Sequence, residues 1–475
     1  MEVIMSKGGI LLLIVLIIPF VVSADVWHVK RVDYEQGTQT IIGYGSSLKL
    51  DSNGNPHISY FDSECDSVKY AHWDGTGWII ESIDEAFWAL TSLALDSDDY
   101  GFISYQNVNG DDLNYAWFDG VNWHIGLVDS AGDVGSTSSL ALDTEGYPHV
   151  SYRDDTDTAL LYAYMDSRGW NYEVVDEDGN VGMANSLALD GDVNPHISYR
   201  SNNDSDQYSL CYAYKGESGW ELENVYSDYP YFWCGVITSI AIDSSDYPHI
   251  GFINVDNLGG YKFIRHAYKD ETGWHSDGLF LGALRGDVHV SLALTSDDTP
   301  YVAVDAHESG NEWERILYFC YKSDSNWIHE EIPGSGGSWG SLSIDIDSYD
   351  RPHISYHKWF YDGLHYAYMA PNQVELRIGG SSGTSTLSWV AYPGASIYEI
   401  HGVSNDPYFY LGPHSSVPTF ITTVPSSQLS WDTTNGMGDP DENWNYIVMA
   451  KDETDTELAI SNRVGELDFV TNISP

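Results

Sequence analysis

One short phrase recurs seven times along this chain, and the recurrence decides the fold class before any single residue is weighed. It reads "SLKLDSNGNPHISYFD" from Ser47, "SLALDTEGYPHVSYRD" from Ser139, "SLALDGDVNPHISYR" from Ser186, "SIAIDSSDYPHIGFI" from Ser239 and "SLSIDIDSYDRPHISYH" from Ser341. Two looser copies are "SLALDSDDYGFISYQ" from Ser92 and "SLALTSDDTPYVAVD" from Ser291. Aligned on the first large aliphatic residue, the copies start at Leu48, Leu93, Leu140, Leu187, Ile240, Leu292 and Leu342, at intervals of 45, 47, 47, 53, 52 and 50 residues. A strand-only pattern at such a period predicts a β-propeller. A phrase repeated this often is a scaffold for one site or a few, not seven active sites.

Each copy divides into four short strands: "SLALD", then "PHISY" after an Asp/Gly/Asn turn, then words such as "VKYAHWD" and "LLYAYMD". A second turn ("DGTGW", "DSRGW", "DETGW") opens the fourth. The last copy stops at "LHYAYMAPNQ" and lacks a fourth strand, whereas the segment Val26 to Asp33, "VWHVKRVD", matches the fourth-strand word "GWNYEVVD". The spare strand at the front is expected to complete the last blade and remove an open sheet edge. Seven blades follow.

Composition agrees. At 475 residues the chain exceeds one ordinary core. The 14% aromatic content with 44 glycines favours an all-β protein. A formal charge of −51 repels nucleic acids and anionic membranes, so no nucleic-acid partner is expected. Lys7, the apolar run Ile10 to Val22 and "VVSA" ending at Ala24 read as a secretory signal. The run is too short to span a bilayer, so a secreted or cell-surface protein is expected, with no transmembrane segment in the mature chain and as a monomer. Of the four cysteines, Cys211 and Cys234 are nearest in sequence and are the expected disulfide.

The "DGTGW" turns resemble relaxed Asp-boxes of sialidase-like propellers. The whole phrase is similar to secreted bacterial and archaeal propeller repeats, from about Val26 to Met369. From about Pro371 the vocabulary changes to "TLSWVAYPGASIYEIHG" and "NWNYIVMAKDETDTELAISNRV". Trp389 and Tyr446 there resemble the core Trp and Tyr of a fibronectin type III sandwich. The organisation expected is a signal peptide over 1–24, a seven-bladed propeller over 25–370, a fibronectin type III-like domain over 371–468 and a tail over 469–475.

Candidate sites are weighed against scaffold roles. His57, His149, His196, His249 and His353 share one repeat position, but Phe102 and Tyr301 occupy it in the other copies, so a structural ring is expected. The turns at Asp51 and Asp190 resemble the start of a Ca²⁺ loop but lack the later bidentate Glu, so Ca²⁺ is the lesser reading and no cofactor is expected. The position after "PHISY" varies instead: Phe61, Gln106, Arg153, Arg200, Ile253, Asp305, His357. It falls where the second strand leaves for one face of the disc. Connections on that face carry Trp88, Trp233, Trp339 and Trp359. Exposed rings stack on sugar C–H faces while polar neighbours take hydroxyls. The expected ligand-binding set is therefore Trp88, Arg153, Arg200, Trp233, Asp305, Trp339, His357 and Trp359.

Three readings of function follow. The first is a binding protein for a glycan or surface polymer, neutral or weakly charged given the net charge. The second is a glycosidase or polysaccharide lyase on the same face. The sialidase resemblance implies an arginine cluster, for which Arg153, Arg200 and Arg285 could serve. The family's N-terminal arginine motif is absent from the sequence, and the turns depart from the full Asp-box. The third is a protein-docking scaffold. The balance favours binding over catalysis, and no catalytic residue is assigned.

Overall fold

The computed structural model describes residues 25–34, 41–86, 89–107, 111–203, 207–227, 232–256, 260–307, 315–323, 326–335, 338–358 and 363–371, with eight short strands beyond them. Residues Trp27–Met369 form one compact unit. It is an all-β propeller of seven blades.

Blades one to four are four-stranded antiparallel sheets, the first built from Ile42–Leu50, Pro56–Asp62, Ser67–Trp73 and Trp78–Glu85. Blades five and six share the 22-residue strand Gly273–Leu294, which ends one blade and begins the next. Blade seven is closed as the sequence predicts: Asp25–Asp33 pairs with Gly363–Pro371 at the edge of the sheet holding Ser338–Ile346 and Pro352–Lys358.

Four joints repeat around the disc, and each explains one letter of the phrase. The inner-strand serine accepts the backbone N–H of the next blade's first aliphatic residue. Ser47 takes it from Leu93, Ser92 from Leu140, Ser139 from Leu187, Ser186 from Ile240, Ser239 from Leu292, Ser291 from Ile344 and Ser343 from Leu48, all at 2.9–3.2 Å. This corrects the alignment of the last copy. Ile344, paired with Ile354 as Leu48 is with Ile58, holds the place first given to Leu342. "SLSID" offers two serine–aliphatic pairs; Ser341 accepts the N–H of Ser46 in blade one, and Ser343 makes the bond to Leu48 that the other blades repeat.

The fourth-strand tryptophan is the second joint. Trp78, Trp123, Trp170, Trp220, Trp274, Trp327 and Trp27 each meet, edge to face, a third-strand ring of the preceding blade. Those rings are Tyr366, Tyr70, Tyr115, Tyr162, Tyr212, His266 and Phe319, with centroids 4.9–5.7 Å apart. Such pairs add about 0.5–1.5 kcal/mol each beyond area burial. Trp27 completes the circle from the N-terminal strand.

The serine of "PHISY" forms the third joint, reaching the residue before the next inner serine. The pairs are Ser59 with Thr91, Ser104 with Ser138, Ser151 with Asn185, Ser198 with Thr238 and Ser355 with Ser46. Where the hydroxyl is lost its partner is apolar too: a Cβ on Gly251 would stand 3.3 Å from Val290, and Ala303 packs in one cluster with Leu342. A half-kept pair would bury an unsatisfied polar group.

The tyrosine of "PHISY" is the fourth. Tyr60, Tyr105, Tyr152 and Tyr199 donate to Asp33, Asp84, Asp129 and Asp176 of the preceding blade at 2.5–2.7 Å. Glycine is required where the entering connection crosses a neighbour. At Gly135 and Gly182, both at positive φ, a Cβ would lie about 3 Å from Leu113 and Leu160.

All four cysteines are free thiols, so the expected Cys211–Cys234 bridge is not formed. Side chains alternate along a strand. Leu210 faces Gly235, beside Cys234, on the blade-five side, while Cys211 packs on the opposite face against the blade-three cluster around Tyr162.

The strands after Ala370 belong to a second unit. Their backbones form one sheet of Leu376–Ser381, Thr384–Trp389 and Ser430–Thr433. A second holds Ile397–Ser404, Thr419–Pro425, Trp444–Lys451, Glu457–Ile460 and Val464–Gly465. Trp389 and Tyr446 lie on these strands, and the core packing expected of them lies outside the described residues.

Candidate functional site

The residues after "PHISY" sit on strand rather than loop. Alternation turns each the same way as the serine two places earlier, toward the next blade. Phe61 and Ile253 are buried among apolar neighbours. Arg153, Asp305 and His357, read from sequence as exposed loop residues, are buried as well, at 4%, 0% and 2% exposure. The second strand runs past its consensus word in these blades and carries them inside: Pro148–Asp154 pairs Arg153 with Leu160, Pro300–His307 pairs Asp305 with Leu317, and Pro352–Lys358 pairs His357 with Leu364.

Their polar partners come from the connection into the following blade or from their own. Gln106 donates to Asp133 (2.8 Å) and to the carbonyl of Val134 (3.1 Å). Arg153 makes the equivalent bond from Nη1 to the Val181 carbonyl, with Nε 2.5 Å from Asp155. Asp305 accepts the backbone N–H of His289 at 2.5 Å, stands 3.2 Å from the same residue's Nδ1, and lies 3.7 Å from Nη1 of Arg315. The partner that holds Asp305 is thus His289, across the same blade.

Blade four differs. Arg200 is only partly buried, its guanidinium 3.9 Å above the Tyr208 ring. Trp233, on the short strand Phe232–Trp233 that pairs with Val255 and Asp256, lies 5.4 Å from Tyr208 and is 42% exposed. Three residues from two neighbouring blades thus build one shelf: a half-open indole, a phenol beside it and a planar cation over the phenol. Arg153 of blade three is close enough to act electrostatically on Arg200. Of the eight predicted residues the structure brings together Arg200 and Trp233, through Tyr208. Trp88 and Trp359 lie outside the described residues, and Trp339 is described in backbone alone.

Tyr208 was missed. The signal was available in "DQYSLCYAYK", where a ring replaces the Asp66, Asp111 and Thr158 of earlier copies. His289, Asp155 and Arg315 carry no such signal, because their roles depend on cross-strand partners.

The "Pro-His" rings have structural partners. Nδ1 of His149 lies 2.5 Å from the Tyr162 hydroxyl and its Nε2 3.6 Å from Asp143, and His196 repeats this with Tyr212 (2.6 Å) and Asp190 (3.3 Å). His57 and His353 do the same with Tyr70 and Asp51, and with Tyr366 and Asp347. The turn carboxylates are also occupied locally: Asp51 Oδ1 accepts the N–H of Asn53 and Asn55, and Asp190 Oδ1 those of Asp192 and Asn194.

No protein-family model matches the sequence. No curated protein matches it either. Solved structures do. AofleA from Arthrobotrys oligospora is 15% identical, over 65% of this chain and 90% of that one, with a TM-score of 0.44. The SapL1 lectin, solved with alpha methyl fucoside, is 16% identical over 62% and 98%, with a TM-score of 0.42. The polysaccharide lyase Uly1 is 9% identical over 72% and 92%, with a TM-score of 0.47. Likeness at this level says nothing of ligand or reaction. What the chain's own residues define is a seven-bladed β-propeller with an asymmetric aromatic and cationic shelf between blades four and five.

Proposed function

We propose that this is a secreted or cell-surface binding protein that takes a glycan on the shelf of Trp233, Tyr208 and Arg200. The observation that carries the reading is the 42% exposure of Trp233 beside a tyrosine already capped by an arginine. The half-open indole and the phenol beside it together present an aromatic face to solvent. A pyranose covers it well, with C–H bonds over the ring and hydroxyls toward the neighbouring cation. We read the carboxy-terminal region, from its Trp389 and Tyr446 words, as a fibronectin type III-like spacer.

The test is a glycan array probed with the full chain and with Trp233→Ala. Binding that is lost in the variant, at unchanged melting temperature, supports the site. An array without any binding removes the glycan reading in favour of protein docking.

One observation favours a second, catalytic reading. Asp305, fully buried, holds His289 through Nδ1, which leaves Nε2 to move a proton. Release of reducing or unsaturated sugar ends from a polysaccharide panel, abolished by His289→Gln, would establish it.

A further inference from the structure

Arg200 is anomalous in this protein. The chain has 71 acidic residues against 20 basic ones, and most of the other inward-facing cations among the described residues use that surplus. Lys69 is paired with Asp62 and Asp33, Arg153 with Asp155, Lys215 with Glu173, Lys269 with Glu223, Lys322 with Asp277 and Arg351 with Asp347. Arg265, which also lies over a tyrosine, donates to Ser276 at 3.2 Å. Arg200 forms no ion pair among the described residues, and its buried Nε–H has no acceptor. Burial pulls its guanidinium below the usual arginine range; Tyr208, which also shares a side-chain hydrogen bond with it, and Cys234 act against that shift, and Arg153 adds to it.

Burying a cation without an anion costs stability, and here a carboxylate was the easiest residue to place. The arrangement also keeps the group usable. A guanidinium held over a ring keeps its N–H donors in its own plane, where a carboxylate or sulfate oxygen can meet them. The net charge of −51 argues against an anionic ligand only at long range, since about 8 Å of physiological salt solution screens distant charges. Within the shelf the charged side chain described is Arg200 itself.

We infer that the shelf selects a sugar bearing an oxyanion, a carboxylate or a sulfate ester, with the sugar ring on Trp233 and the anion on the edge of Arg200. This rests on the glycan reading above and replaces the neutral ligand expected from overall charge.

The test is calorimetric titration of the full chain with two matched pairs at fixed ionic strength: an oligogalacturonide and its carboxyl-reduced form, and a sulfated galactan and its desulfated form. At least one charged member should bind about tenfold or more tightly than its neutral partner, as a charge-assisted hydrogen bond requires. Which pair discriminates identifies the anion. In Arg200→Gln both members should bind more weakly, but the charged member should lose at least tenfold more than its neutral partner, so that the preference vanishes. Equal affinity within both pairs overturns the inference and leaves the glycan reading standing, provided that Trp233→Ala still abolishes binding. Failure of all four probes, with glycans of every other class also unbound, removes both. Because the wild-type comparison needs no variant, a misfolded Arg200→Gln would not rescue the idea.

Discussion

The Tyr60 hydroxyl donates a 2.6 Å hydrogen bond to Asp33, tying the second strand of blade one to the strand that completes blade seven. Lys69 adds its ammonium between Asp33, at 3.4 Å, and the buried Asp62. Asp33 stands toward Tyr60 as Asp84 does toward Tyr105 and Asp129 toward Tyr152. The ring is therefore shut by an ordinary blade contact, made by residues more than three hundred positions from the strand they extend.

Removing residues 25–34 should leave Gly363–Pro371 as an open edge, and the truncated chain should aggregate in size-exclusion chromatography. The point variant Trp27→Ala, which empties the space over Phe319, should cost about 3–5 kcal/mol in urea unfolding. A monomeric, fully stable truncation would mean that the N-terminal strand does not close the ring.

Ser104→Ala should destabilise by about 1 kcal/mol, because the Ser138 hydroxyl loses its 3.0 Å partner. Adding Ser138→Val reproduces the apolar solution of blades five and six, and should recover most of that loss. A double-mutant cycle with no coupling between the two sites would refute the paired-loss explanation.

Burial holds His57, His149, His196 and His249 below the ordinary imidazole value, His57 at about 4. These rings are neutral in the folded protein, whereas the unfolded chain takes up protons near pH 6.5. Stability should therefore be full above about pH 6.5 and fall as the pH drops toward about 4. Urea midpoints across that window measure the slope. Converting His149 and Tyr162 to the Tyr301 and Phe319 pair of blade six, by His149→Tyr with Tyr162→Phe, should make it shallower.

Four thiols should titrate in denaturant without reductant, and only the exposed Cys65 should react quickly in the native protein. Burial pushes the Cys211 thiol up to about 12, which removes its reactive thiolate at neutral pH. Two titratable thiols instead of four would indicate a disulfide and a different packing of blade four.

The repeat was legible because its serines, tyrosine and tryptophan answer to the adjacent blade and its histidine and turn aspartate to their own, so the same residues recur at each joint. The N-terminal closure was legible for the same reason: "VWHVKRVD" carries both the tryptophan and the aspartate that a fourth strand must supply. The site was only partly legible. Arg153 and Asp305 looked like loop residues because the strand word ends before them, yet pairing continues to Asp154 and His307. How far a strand extends is set by its partner across the sheet, which one copy read alone does not reveal. Tyr208 and Trp233 meet only because two connections from adjacent blades converge, a relation with no fixed spacing in the chain.

The serine joint between Ser343 and Leu48 matches the one between Ser139 and Leu187 in donor, acceptor and length. A ring of interchangeable couplings has no privileged first member. The place where the polypeptide is cut is then a matter of gene layout rather than of stability, and a circular permutant opened at the exposed Ser167–Arg168 turn, with the old ends joined by a flexible tether, should assemble the same disc. The same interchangeability makes copy number heritable in whole units. A duplicated or deleted repeat arrives with both of its couplings intact, and the wedge angle at every other blade must adjust to admit it.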